Sequence, residues 1–180
     1  MPACKVEVLV PDFKGNAPDI QHIVDSNPVV FNHNVETVPR LYSEVRPQAQ
    51  YKTSLYVLNY VAEKSSIPVK SGFMAGLGES MDEVFEMIDD LYRAGVRLLT
   101  IGQYLAPSEK HYPVKKYVLP EIFDEYKMYA LNKGFFGVQS GPLVRSSYMA
   151  DRMYDELLKS QEERTNHESQ YYDKAFRAEK

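Results

Sequence analysis

Short β-branched apolar runs alternate with helical periods along most of this sequence, and that alternation restricts the chain to parallel α/β architectures. Lys5-Val6-Glu7-Val8-Leu9-Val10, stopped by Pro11, reads as a strand. Pro18 opens a short helix through Ile20, Ile23 and Val24, and Asn27-Pro28 closes it before the strand Val29-Val30-Phe31. Tyr51, Leu55, Leu58 and Ala62 share one helical face between Gln48 and Ala62, and Ser65-Ser66-Ile67-Pro68 breaks the run before a strand from Val69 to Ala75. Ser80 and Glu83 then form an S-x-x-E capping box ahead of the apolar stripe Val84, Phe85, Ile88, Leu91 and Tyr92, which Gly95 terminates. Val96 to Ile101 is a fourth strand, Pro120 to Leu131 a fourth helix closed by Gly134, and Phe135 to Val138 a candidate last strand.

Right-handed crossovers leave two solutions for such an alternation, an open doubly wound sheet or part of a β/α barrel. A complete eight-unit barrel takes about 250 residues, so a 180-residue chain, if barrel-like, is an incomplete one. Residues 151–180 carry eight acidic and six basic side chains, lose the apolar period after Leu158, and read as a helix passing into a charged tail. No stretch approaches the ~20 consecutive apolar residues of a membrane span, and no leader pattern follows Met1, which predicts a soluble protein that stays where it is made. The balance of 25 acidic to 21 basic residues, without a basic cluster, argues against a nucleic-acid surface. The single cysteine, Cys4, excludes an internal disulfide and cannot hold an iron–sulfur cluster by itself.

Polar groups gather where the strands end. Asn32-His33-Asn34-Val35-Glu36-Thr37 could converge on a ligand or satisfy one another locally; His33 and Glu36 alone are too few for a zinc site. Gly72-Phe73-Met74-Ala75-Gly76-Leu77-Gly78-Glu79 lets backbone approach a ligand closely, or serves as a tight strand-to-helix turn with Glu79 at the helix N-terminus. It carries neither a G-x-G-x-x-G fingerprint nor a Walker lysine. In Gly141-Pro142-Leu143-Val144-Arg145-Ser146-Ser147-Tyr148 a serine can cap a helix, and no His/Asp pair is evident to activate one as a nucleophile.

Taken together, V-L-V-P-D-F-K-G (8–15), N-H-N-V-E-T-V-P-R-L-Y (32–42), V-R-P-Q-A-Q-Y (45–51), K-S-G-F-M-A-G-L-G-E (70–79), T-I-G-Q-Y-L-A-P-S (100–108) and G-P-L-V-R-S-S-Y (141–148) closely resemble lipoyl synthase, in family order from Lys5 to about Ala150. The resemblance implies that residues 1–150 form the C-terminal part of a radical S-adenosylmethionine partial TIM barrel. It implies an enzyme that inserts two sulfur atoms, at C6 and C8, into an octanoyl group on a lysine of a lipoyl carrier protein. Gly72, Met74, Gly76 and Glu79 match the motif that contacts the cofactor's adenine, and Asn32, Asn34 and Glu36 the polar group facing cofactor and substrate. Ser147, with Ser146 as the alternative, looks like the serine ligand of the auxiliary 4Fe-4S cluster, supported by Arg145. The family holds two 4Fe-4S clusters with C-x4-C-x5-C and C-x3-C-x2-C sets, and neither is present here. The chain alone is therefore expected to bind no cluster and to need a cysteine-bearing N-terminal half or partner subunit. The alternative is an inactive remnant that binds a lipoyl carrier protein or S-adenosylmethionine. The implied compartment is the cytoplasm, or the mitochondrial matrix in a eukaryote. A half-barrel would also leave its first strand unpaired at one edge and its apolar interior open to water.

Overall fold

A computed structural model describes residues 4–159. The elements run β1 (Glu7–Leu9), α1 (Ala17–Asp25), β2 (Val30–Asn32), α2 (Tyr42–Val45), α3 (Tyr51–Lys64), β3 (Val69–Ala75), α4 (Met81–Arg93), β4 (Leu98–Gln103), α5 (Pro120–Lys133) and β5 (Gly137–Gly141). A further helix, α6, occupies residues 150–159. The rest of the charged tail lies outside the described residues.

The five strands form one sheet in the order β1-β2-β3-β4-β5, every pair parallel. Sequential order without reversal is the winding of a barrel; a doubly wound sheet reverses and carries helices on both faces. Burial agrees with the barrel winding. Ile20 of α1, Leu58 of α3, Ile88 of α4 and Phe123 of α5 all enter one apolar cluster with Phe31, Phe73, Leu99 and Ile101. The four long helices therefore cover a single face, and the architecture is an incomplete β/α barrel.

The opposite face corresponds to a barrel interior, and α6 lies on part of it. Met153 and Leu157 pack with Val30 and Leu98 in a second, smaller cluster. The expected open interior is thus partly covered. The edge expectation concerns β1, where Leu9 is 57% exposed and Val6, just before the strand, 54%. From the Leu98 level upward the same face turns polar, with Lys70 opposite Leu98 and Thr100 and Gln139 one layer above, alternating with the apolar residues that point at the helices.

Local chemistry sets the helix ends. The Ser80 hydroxyl accepts from the Glu83 amide at 3.3 Å while the Glu83 carboxylate accepts from the Ser80 amide at 2.8 Å, the reciprocal box read from the sequence. Gly134 ends α5 at φ 112°, and the amides of Gly134 and Phe135 both return to the Ala130 carbonyl. Strand limits differ from expectation. β4 runs on to Gln103 and β5 is Gly137–Gly141 rather than residues 135–138, because parallel ladder bonds continue through glycines that break the apolar pattern.

Candidate site at the strand ends

A cavity of about 180 Å³ opens beside the carboxyl ends of β3 and β4. Four of the seven residues expected at a cofactor line it: Asn34, Glu36, Gly72 and Met74. Thr100, Gly102 and Gln103 supply the β4 wall, and Val144, Arg145 and Ser146 close it from the segment after β5.

Register explains the gathering. Gly72 pairs with Thr100 and Met74 with Gly102, so these four residues share one face of the sheet. Glycine is required twice for space. A Cβ on Gly72 would stand 2.5 Å from Thr100 Oγ1 and 2.9 Å from Asn34 Oδ1. A Cβ on Gly102 would collide with the Val144 carbonyl, so the bare strand is what admits the Arg145–Ser146 segment.

Glu36 takes φ 68°, uncommon for a residue with a side chain. Its backbone is fixed on both sides by β3, the amide donating to the Gly72 carbonyl at 3.1 Å and the carbonyl accepting from the Met74 amide at 2.9 Å. Asn34 Nδ2 donates to the Glu36 carboxylate at 3.3 Å. Asn34 Oδ1 is buried with no partner among the described residues. Burial pushes the Glu36 carboxyl above its ordinary range, against the opposing pull of the Asn34 amide and the Arg46 charge.

A carboxyl with a raised folded-state pKa favours its protonated form in the native protein, so it lowers stability as pH rises through the shifted range. Glu36→Gln is therefore expected to raise the urea midpoint at pH 7 and to leave it unchanged at a pH below the ordinary carboxylate range. Equal effects at both pH values would count against this origin.

The remaining candidates lie elsewhere. Asn32 is buried below the cavity, where Nδ2 donates to the Glu7 carboxylate at 3.2 Å; the same oxygen pairs with Lys70 Nζ at 2.8 Å. Gly76 and Glu79 build the β3–α4 turn: the Glu79 carboxylate accepts from the amides of Gly76 at 2.6 Å and Leu77 at 2.9 Å. Ser147 is exposed and outside the cavity lining, whereas Ser146 borders it. Arg145 Nη1 donates to the Val144 carbonyl at 2.6 Å. Thr100 and Gly102 were not singled out from sequence as site residues; their register opposite Gly72 and Met74 is the signal that finds them.

A singly wound parallel sheet with a polar cavity at its strand ends belongs to the class of β/α barrels, whose sites lie at that end. No protein-family model matches the chain. Curated relatives do. It is 54% identical over 151 residues to a lipoyl synthase of Rubrobacter xylanophilus, covering 83% of this chain and 47% of that protein. It is 53% identical over 146 residues to the lipoyl synthase of Alkaliphilus metalliredigens, covering 81% and 50%. With that of Caldicellulosiruptor bescii it shares 52% over 155 residues, covering 86% and 53%. The chain is thus a homologue of the lipoyl synthases and spans about half the length of the curated relatives it matches. No helix among the described residues is long and apolar enough to cross a membrane.

Proposed function

We propose that this chain is the C-terminal half of a radical S-adenosylmethionine lipoyl synthase, acting on an octanoylated lipoyl carrier protein together with a cysteine-bearing N-terminal half. The observation that carries the proposal is the identity of about half to the lipoyl synthases over more than four-fifths of the chain. In this reading the strand-end cavity receives the adenosyl part of S-adenosylmethionine, the compound that supplies the 5′-deoxyadenosyl group when bound.

The residues present fit a nucleoside. Gly72 leaves a bare cradle, Asn34 Oδ1 has no partner among the described residues and can accept from an amine or hydroxyl, and the Glu36 carboxyl lines the same cavity, where it can accept from ribose hydroxyls. Met74 and Leu105 add apolar contact for the purine. Gly76 and Glu79 act one step removed, by holding the turn that follows β3.

They do not fit an iron–sulfur cluster by themselves. Among the described residues no three of His, Cys, Asp and Glu converge, and Cys4 is exposed. Ser146 or Ser147 could contribute one hydroxyl, with Arg145 beside it, and every thiolate has to come from the other half. Ser147 remains the first candidate and Ser146, which borders the adenosyl cavity, the alternative.

The test is a nuclear magnetic resonance titration with S-adenosylhomocysteine, which detects weak binding without any cluster. Shifts centred on the amides of Gly72, Met74 and Thr100 are expected, and Gly72→Ala should weaken binding by about tenfold or more through the lost cradle. No shift at these amides, or undiminished binding by Gly72→Ala, contradicts the nucleoside reading.

A further inference from the structure

Behind the cavity wall lies a second polar cluster, built from β2, α2 and α3. His33 is 2% exposed, its Nδ1 is 2.9 Å from the Val10 carbonyl and its Nε2 is 2.9 Å from Ser54 Oγ. A carbonyl only accepts, so Nδ1 carries the proton, and neutral Nε2 accepts from the Ser54 hydroxyl. Burial lowers the His33 pKa, and the nearby Arg46 charge acts in the same direction against the Val10 hydrogen bond and Asp12. The ring is therefore neutral at pH 7.

Tyr42, 5% exposed, donates its hydroxyl to the Val35 carbonyl at 2.6 Å and lies 3.3 Å from Ser54 Oγ. Arg46 follows from the next residue, Pro47, which disfavours helix before it and ends α2; Arg46 has φ −134°. Its guanidinium sits 5.5 Å from the Tyr42 ring centroid. Nη1 donates to the Asn34 carbonyl and the Tyr42 hydroxyl at 3.3 Å each, and to the Val35 carbonyl at 3.5 Å.

These bonds converge on the segment whose side chains, Asn34 and Glu36, line the cavity. A left-handed Glu36 is strained and persists only where its surroundings determine it. β3 holds the amide and carbonyl of Glu36 itself, whereas the preceding Asn34 carbonyl takes Arg46, and the Val35 carbonyl takes Tyr42 and Arg46 besides the Thr37 amide at 2.8 Å. We infer that Tyr42, Arg46, Ser54 and His33 form a positioning strut that holds Asn34 and Glu36 in ligand-ready geometry. None of the four lines the cavity, and their effect passes through the backbone at residues 34–36. The inference rests on the cavity being the ligand site and adds the residues that set its shape.

Tyr42→Phe tests it, since it removes the hydroxyl and keeps the ring, with Ser54→Ala as an independent second variant. Native-state hydrogen exchange at Glu36 and Thr37 reads the strut locally, because those amides bond the Gly72 and Val35 carbonyls. About tenfold faster exchange at these two amides is expected in each variant, the size of one lost buried hydrogen bond, with β4 amides unchanged. S-adenosylhomocysteine affinity should fall by a similar factor. Unchanged exchange at Glu36 and Thr37, or acceleration spread equally over β4 and α5, overturns the strut and leaves a purely structural cluster. If the unaltered chain shows no binding of S-adenosylhomocysteine, the nucleoside reading fails, and the exchange comparison still decides the strut.

Discussion

Glu7→Leu is expected to destabilise the chain by about 3–5 kcal/mol, the usual cost of leaving one member of a buried ion pair behind. Lys70 is fully buried, and its ammonium pairs with the Glu7 carboxylate at 2.8 Å. The same oxygen accepts from Asn32, whose Oδ1 already lacks a partner among the described residues. Removing the carboxylate therefore strands a cation and an amide together. Glu7→Leu with Lys70→Met takes the charge away as well and should recover at least ~2 kcal/mol of the loss, leaving the smaller cost of the unpaired amide. Urea unfolding of the single and double variants makes the comparison. A double variant no more stable than the single one would mean that the Lys70 ammonium is not held in a dry interior.

Gly76→Ala carries the second large effect, about 2–6 kcal/mol from backbone strain and overpacking combined. Gly76 has φ 97°, which side-chain-bearing residues rarely adopt, and an added Cβ would run into the Lys116 carbonyl and the Gln103 amide nitrogen. Neither neighbour can move cheaply. Gln103 Nε2 donates to the carbonyls of Tyr104 at 2.9 Å and Lys116 at 3.0 Å, and its Oε1 accepts from the Val118 amide at 2.9 Å. The amides of Lys115 and Lys116 in turn bond the Gly76 carbonyl at 2.9 and 3.2 Å. One methyl group would thus loosen the whole segment between β4 and α5 where it crosses the β3–α4 turn. A shift of the urea midpoint by less than that of an exposed helix substitution would contradict this tight packing.

The parts of the fold legible in the sequence were those written in short-range chemistry. The Ser80–Glu83 box, the Gly134 stop and the stripe of α4 need only neighbours a few residues away, and each stands where expected. The helices over Pro39–Leu41 and Tyr42–Val45 were not expected, because runs of three and four residues leave no period to detect. β5 escaped full recognition for a different reason: Gly137, Gln139 and Gly141 belong to the barrel-interior side, where ligand space and the α6 contact replace apolar packing. Residue patterns alone left the winding open, since it depends on which strands pair and on which face the helices lie; the resemblance to lipoyl synthase pointed to the barrel.

The candidate site divides in the same way. Asn34, Glu36, Gly72 and Met74 were found as motif residues and do line one cavity. Thr100 and Gly102 needed the β3–β4 register, and the neutral His33 of the strut needed the Val10 and Ser54 contacts from other elements. Glu79 has the expected residue type but spends its carboxylate on the amides of its own turn.

The most direct test of the lipoyl synthase reading is the intact mass of an octanoylated carrier domain after anaerobic incubation with reductant and S-adenosylmethionine. The incubation contains this chain, reconstituted with iron and sulfide, together with a cysteine-bearing N-terminal half; each half alone is the control. The account predicts a carrier in which two sulfur atoms have replaced two hydrogens, formed only in the mixture and lost when Ser147 and Ser146 are both replaced by alanine. An octanoyl mass unchanged in the mixture, under conditions where an intact relative converts the same carrier, would contradict it.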